Sequence, residues 1–253
     1  MTEYEKWCVD NCPTSLVNKG LVEKCTTLKQ AYISSVYKDA KVINIYHGTG
    51  DYNFQLNPDF PNHYNDYGSG LYTTQNLDLA KEWSLSNYNK SDNGYVVDYL
   101  LNTDRLRLLD LTKLNTLNWL SVLVENRRLD DTEVPKERVD ALVRKYYVDL
   151  KPYDVIHGWR ADDSYFTFVK DFINGRISLQ VLERAMSLGK LGTQFCIKSP
   201  KAFASLIELR RFKSEKEYRA KFKNRDQKAR QDYKLIRNSS SLTDKYILDV
   251  LRD

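Results

Sequence analysis

No stretch of this sequence approaches the roughly 18 consecutive apolar residues that a membrane-crossing helix requires, and the start, Met1-Thr2-Glu3-Tyr4-Glu5-Lys6, lacks the basic residues and apolar run of a secretory signal. These absences predict a cytoplasmic site of synthesis and no membrane partner. They leave delivered toxins open, because some export routes use no such signal. Only four cysteines occur, Cys8, Cys12, Cys25 and Cys196, with no C-x-x-C pair and no nearby histidine cluster. That scarcity argues against zinc or any other metal and favours reduced, structural thiols. Only six prolines are present in 253 residues, and the aromatic content is high, so long disordered segments are excluded as well.

The pattern that is present reads as one α+β catalytic domain with helical additions at both ends. Apolar residues at helical spacing from Leu16 to Val36 predict a helix, broken near Gly20, within an N-terminal extension over residues 1–40. The domain proper spans 41–207. Its first strand, Lys41 to Tyr46, runs into the turn His47-Gly48-Thr49-Gly50. A loop without periodicity, residues 51–67, leads to Gly68-Ser69-Gly70-Leu71-Tyr72-Thr73-Thr74. A helix capped by Asn76 or Asp78 should run to about Tyr88. Strands follow at 94–101 and 106–111, then helices at 116–128 and 135–149. A strand at 153–157 precedes Asp162 and Asp163, which could cap the helix carrying Tyr165 to Ile173. After a helix over 178–188, Gly192 to Lys198 is the last clear strand, ended by Pro200.

In their order, these features resemble the His-Tyr-Glu class of ADP-ribosyltransferases, which includes diphtheria-type toxins and the poly(ADP-ribose) polymerases. Tyr46-His47-Gly48-Thr49 is similar to the class's His-Gly-Ser/Thr segment, and Gly68-Ser69-Gly70-Leu71-Tyr72 to its Gly-x-Gly-hydrophobic-Tyr segment. Trp83, eleven residues after Tyr72, stands where the class carries its second nicotinamide-facing aromatic. The resemblance covers roughly Val42 to Phe203. It implies a fold of two small mixed sheets with NAD as co-substrate between them. It also implies that Tyr72 and Trp83 sandwich the cationic nicotinamide by stacking and cation-π attraction. Gly48 would meet the carboxamide and His47 a ribose hydroxyl, with Thr49, Gly70 and Thr73 adjoining.

The third residue of the class is a glutamate opening a late strand, where its charge opposes the cation that develops on the ribose. Here the matching residue is Gln194. An amide can hydrogen-bond the ribose but brings no negative charge, so the resemblance implies transfer of a single ADP-ribose unit and no chain growth. Asp162 and Asp163 are the candidates to replace the charge or to act as general base. The same two residues would serve equally as helix caps.

The last segment, 208–253, reads as a basic helical extension: residues 208–237 carry a net +7 in a chain of net +5. Arg210, Arg211, Lys213, Arg219 and Lys223 are interleaved with Phe212, Tyr218, Phe222 and Tyr233, offering phosphate attraction and base stacking to nucleic acid. The same run would also suit a solvated helix whose aromatics pack inward, or a docking face for an acidic antitoxin or immunity partner. Three functions follow: a mono-ADP-ribosyltransferase toxin or defence effector modifying protein or nucleic acid, an NAD glycohydrolase, or an inert binding module.

Overall fold

The computed structural model describes residues 1–11, 26–59, 64–85, 93–127, 129, 133–161, 163–188 and 192–252. The predicted helix break at Gly20, the helix end near Tyr88, Cys12, Cys25 and Asp162 lie outside them. The described residues form two sheets and ten α-helices, a mixed α+β architecture. The first sheet is antiparallel, with order β1 (Val42–Thr49), β3 (Tyr95–Asn102) and β7 (Leu206–Lys213). The second runs β2 (Leu71–Thr73), β6 (Thr193–Ile197), β5 (Val155–Trp159) and β4 (Leu108–Asp110), with only the β4/β5 pair parallel.

Strand β7 corrects the expectation that strands end at Lys198 and that a helical extension begins at residue 208. Residues 206–213 complete the first sheet against β3, so the charged run Glu208-Leu-Arg-Arg-Phe-Lys213 is strand. Its charges obscure the strand because Arg210 and Arg211 read as solvated until each is seen beside a carboxylate, Asp98 and Glu208. The extension proper is helix α9 (Tyr218–Ile236) followed by α10 (Ile247–Arg252).

Three apolar layers hold the molecule together. Ile45, Val97, Tyr99 and Leu101 of the first sheet face Leu71, Val155, Phe195 and Ile197 of the second. The far side of the second sheet packs on α4 (Thr116–Arg127), α5 (Lys136–Tyr146), α6 (Asp163–Ile173) and α7 (Leu179–Met186) around Trp119, Phe168 and Phe172, all fully or almost fully buried. The far side of the first sheet is covered by α1 (Glu3–Asn11) and α2 (Thr26–Val36) through Tyr4, Cys8 and Tyr32. Side chains alternate along a strand, so Asn44 and Tyr46 meet α2 while His47 points the other way. The N-terminal helices therefore support the sheet from behind the histidine.

Local signals set several element ends. Asn76 caps α3 (Leu77–Ser84) by accepting from the Asp78 and Leu79 amides, and Ser178 caps α7 through the Val181 amide. Ser199 and Pro200 open the short α8 (Pro200–Ala204), with the proline in the first turn, where its missing N–H costs nothing.

The contact of α2 with the first sheet is polar. Asp98 is fully buried and accepts from Lys29 Nζ at 2.9 Å, Asn44 Nδ2 at 2.6 Å and Arg210 Nε at 3.3 Å. Lys29 also reaches Asn44 Oδ1 at 2.8 Å and the Tyr46 hydroxyl at 3.1 Å. Removing the acid would strand two cations in the interior. Asp98→Ala is expected to cost about 3–5 kcal/mol of unfolding free energy, read as a lowered urea midpoint with unchanged slope.

Candidate functional site

Among the described residues, one backbone bridge joins the two sheets. Tyr46 and Thr74 exchange backbone hydrogen bonds, Tyr46 N to Thr74 O at 2.7 Å and Thr74 N to Tyr46 O at 2.9 Å. Were the ladder to continue, Gly48 would face Tyr72 and donate to its carbonyl. Instead the His47 imidazole takes that carbonyl, Nδ1 to Tyr72 O at 2.8 Å, and the strands part. Backbone groups alternate along a strand, so the N–H and C=O of Gly48 point toward β2, as those of Tyr46 do, into the gap.

A carbonyl can only accept, so Nδ1 carries the imidazole proton and Nε2 keeps its lone pair. Burial lowers the His47 pKa from 6.5 to about 4; the Tyr72 hydrogen bond opposes this and the positive charge of Arg211 adds to it. His47 is therefore neutral near pH 7. Its ring lies 4.6 Å from that of Phe54.

Gly48 is needed for packing as well as for access. A Cβ there would sit 2.1 Å from the Ala80 carbonyl oxygen and 2.8 Å from the Ser84 nitrogen, so only glycine lets α3 lie against β1. Gly70, at φ +152°, would place a Cβ 2.5 Å from the Ile197 oxygen and 2.6 Å from Cys196 Sγ. It closes the loop onto β6 and has a backbone role. Thr49 is buried, its hydroxyl accepting from the Asp51 amide at 3.2 Å. Thr73 corrects its predicted place among the NAD contacts. Alternation turns it to the face opposite Tyr72, where it is wholly buried with its hydroxyl 3.4 Å from the Phe195 carbonyl.

Tyr72 is half-buried. Its hydroxyl donates to the Gly68 carbonyl and accepts from the Tyr67 amide, both at 2.8 Å, and its ring lies parallel to Tyr67 at 6.3 Å. Burial, reinforced by Cys196 and Asp66, pushes the phenol well above its ordinary pKa, so it stays protonated. Trp83 on α3 lies beneath a planar cation, the Arg160 guanidinium, centred 4.8 Å from the indole. Arg160 follows β5 and its amide reaches the Gly192 carbonyl at 3.3 Å, so Trp83 stands by the start of β6. Beside it, Thr74, Gln75, Asn76, Leu77, Gly192 and Thr193 line a shallow, open depression.

Gln194 shares a sheet face with Tyr72, because Tyr72 pairs with Cys196 two residues along β6. It is almost fully buried, and its Nε2 donates to Asp66 Oδ2 at 2.6 Å. Asp66 also accepts from the Ala161 amide at 3.0 Å and Arg127 Nε at 2.7 Å, while Arg127 Nη2 holds the Ala161 carbonyl at 2.9 Å. A buried carboxylate, Asp66, therefore lies directly against the Gln194 amide. No local pattern marks it, since an Asp in an aperiodic, Asn-rich stretch reads as surface loop. Asp163 begins α6, and Asp162 lies outside the described residues.

The basic residues divide. Arg210 and Arg211 point into the protein, Arg210 to Asp98 and Arg211 to Glu208, which corrects their expected role in binding an outside partner. Their cross-strand positions bring each beside a carboxylate. Lys213 and Lys223 are exposed, and Arg219 is half-buried. The interleaved aromatics mostly face inward. The Tyr218 hydroxyl donates to Asp78 at 2.7 Å and the Tyr233 hydroxyl to buried Asp171 at 2.7 Å, while Arg210 covers Phe212. Helix α9 thus docks on α3, joined also by the Arg225–Glu82 ion pair, and steadies the helix that carries Trp83. Among the described residues no group of three His, Cys, Asp or Glu could hold a metal ion, and no helix is long and apolar enough to cross a membrane.

The lowered pKa of His47 has a signed consequence. The folded value lies below the unfolded one, so this contribution to stability is complete above pH 6.5 and is lost as pH falls through about 4. Acid titration should show a stability loss of up to about 3 kcal/mol over that window. NMR of the ring should find His47 neutral, protonated on Nδ1, at pH 6; a charged ring there would contradict this site geometry.

Residues 43–208 match the model of a family described as "Protein of unknown function (DUF3990)", while the comparisons with curated proteins and with solved structures gave no match. The matched stretch begins in β1, ends in β7 and takes in both sheets, the His47–Tyr72 junction and the Asp66–Gln194 pair, and on its extent this chain belongs to the DUF3990 family.

Proposed function

We propose that this protein is a mono-ADP-ribosyltransferase that cleaves NAD and places ADP-ribose on a macromolecular acceptor, as a toxin or defence effector. The observation that carries the reading is the parting of β1 and β2 after one backbone bridge, with His47 on the Tyr72 carbonyl and the Gly48 edge turned into the gap. A neutral imidazole with a lone pair on Nε2 accepts a hydrogen bond from a ribose hydroxyl. The Gly48 N–H and C=O match the acceptor and donor of a primary carboxamide.

Arg160 over Trp83 supports the fit, since that indole face already receives a flat cation of the same charge as nicotinamide. Bound NAD supplies a glycosidic bond to a good leaving group, whose departure leaves positive charge on the ribose. Gln194 meets that charge indirectly. Its N–H end is fixed on Asp66, and the amide dipole carries the negative potential of that carboxylate forward. Arg127 compensates much of the Asp66 charge, leaving a weaker field than a bare glutamate would give. The resemblance ties chain growth to the missing glutamate, so one unit per acceptor is the expected product.

Labelled NAD incubated with cell lysate should label a macromolecule in step with nicotinamide release, and nuclease or protease treatment of the lysate should reveal which class is labelled. Release without label would mean a glycohydrolase. No release would end the proposal. His47→Ala should lower kcat/KM by about 100-fold or more.

A second prediction separates this protein from the glutamate-bearing class. Gln194→Glu should not raise activity, because it sets a second carboxylate against Asp66. Activity and stability should recover in Asp66→Asn/Gln194→Glu, with a coupling of about 1–3 kcal/mol in the double-mutant cycle. Additive effects would show that the two residues do not act as a pair.

A further inference from the structure

Arg211 lies on β7 opposite Val97 of β3, which in turn lies opposite His47 of β1, so the arginine and the histidine share one cross-strand row. Two strand spacings, roughly 10 Å, separate their backbones. On a regular strand, Glu208 would face away from Arg211. The register shift between Asp98 and Tyr99 passes over Leu209, so Glu208 pairs with Tyr99 and returns to the face of Arg211.

The guanidinium then uses both ends. Nε and Nη2 donate to the two Glu208 oxygens at 2.6 and 2.8 Å. Nη1 donates to the backbone carbonyls of Tyr52 at 2.8 Å and Phe54 at 2.6 Å. Those carbonyls belong to the segment just after β1, which has no strand or helix of its own. Phe54 sits against His47 and packs into the layer between the sheets; Tyr52 meets the Tyr95 ring edge-on at 5.2 Å.

We infer that the Arg211–Glu208 fork holds residues 52–54 as a wall against the His47 imidazole, which makes Arg211 a positioning residue of that site. The geometry stands without any assigned reaction; the effect on turnover rests on the NAD reading above. The planar fork is needed, because a single ammonium cannot serve a bidentate carboxylate and two carbonyls together. Burial, with Phe54 against the ring, and the charge of Arg211 both act to keep the imidazole neutral.

The test uses the full-length chain with Arg211→Lys, which keeps the charge, and Glu208→Gln, which keeps the shape. Amide exchange at residues 52–55 should speed up about tenfold or more in Arg211→Lys and less in Glu208→Gln, while β3 and β7 amides stay protected. Unchanged exchange at 52–55 in both variants overturns the fork. The His47 titration should move up from about 4 in Arg211→Lys; a loosened loop with an unmoved titration overturns the wall. In the active protein, KM for NAD should rise about tenfold with kcat nearly constant, and unchanged kinetics with a loosened loop would also overturn it. If the wild type cleaves no NAD, the proposed function falls, and exchange and titration alone decide the fork.

Discussion

A single backbone bridge, Tyr46 to Thr74, governs the rest of this architecture. It joins the sheets beside their shared apolar layer, and the ladder stops before its next hydrogen-bonded pair, Gly48 and Tyr72, would close the space between them. What stops the ladder is the His47 imidazole on the Tyr72 carbonyl, a side chain taking the acceptor that the next amide would have used. An open strand edge is ordinarily a liability. Here it is partly covered, with Gly48 packed against α3 and its backbone edge turned toward β2.

Two buried carboxylates organise what surrounds that junction. Asp98 fastens the N-terminal helix α2 and strand β7 to the middle strand of the first sheet, behind the histidine. Asp66 fastens the loop before β2 to α4, to the turn after β5 and to the opening of β6, in front of it. Each is met by at least one cation and one amide. Buried charge is tolerated only when so satisfied, and the same requirement fixes Arg127, Arg210 and Lys29 as structural side chains. Arg211, on the same strand as Arg210, is turned by a bulge toward Glu208 and the loop beside His47.

Much of the element order was legible in the residues, because periodicity and caps act over short distances. The start of the first strand, the Asn76 cap, the helices from Thr116 and Lys136, and the strand opening on Gln194 all follow from local patterns, whereas the turn expected over His47 to Gly50 is strand through Thr49, held by pairing with β3. Strand β7 was not legible. Its Glu208, Arg210 and Arg211 read as solvated charge until Asp98, 112 positions from Arg210, is placed beside them. Asp66 escaped for the same reason, since its partners Arg127, Ala161 and Gln194 are scattered along the chain.

By itself, the sequence determined the mixed α+β character, the ordered His47, Tyr72, Trp83 and Gln194 set, and the absence of a glutamate at the last of these, since each is a matter of local pattern or residue identity. Tertiary structure alone decided which face each residue took. It turned Thr73 inward, put Asp66 behind Gln194, and made Arg210 and Arg211 internal. Side-chain direction on a strand depends on register with strands far away in sequence, and a buried charge is placed only when its distant partner arrives.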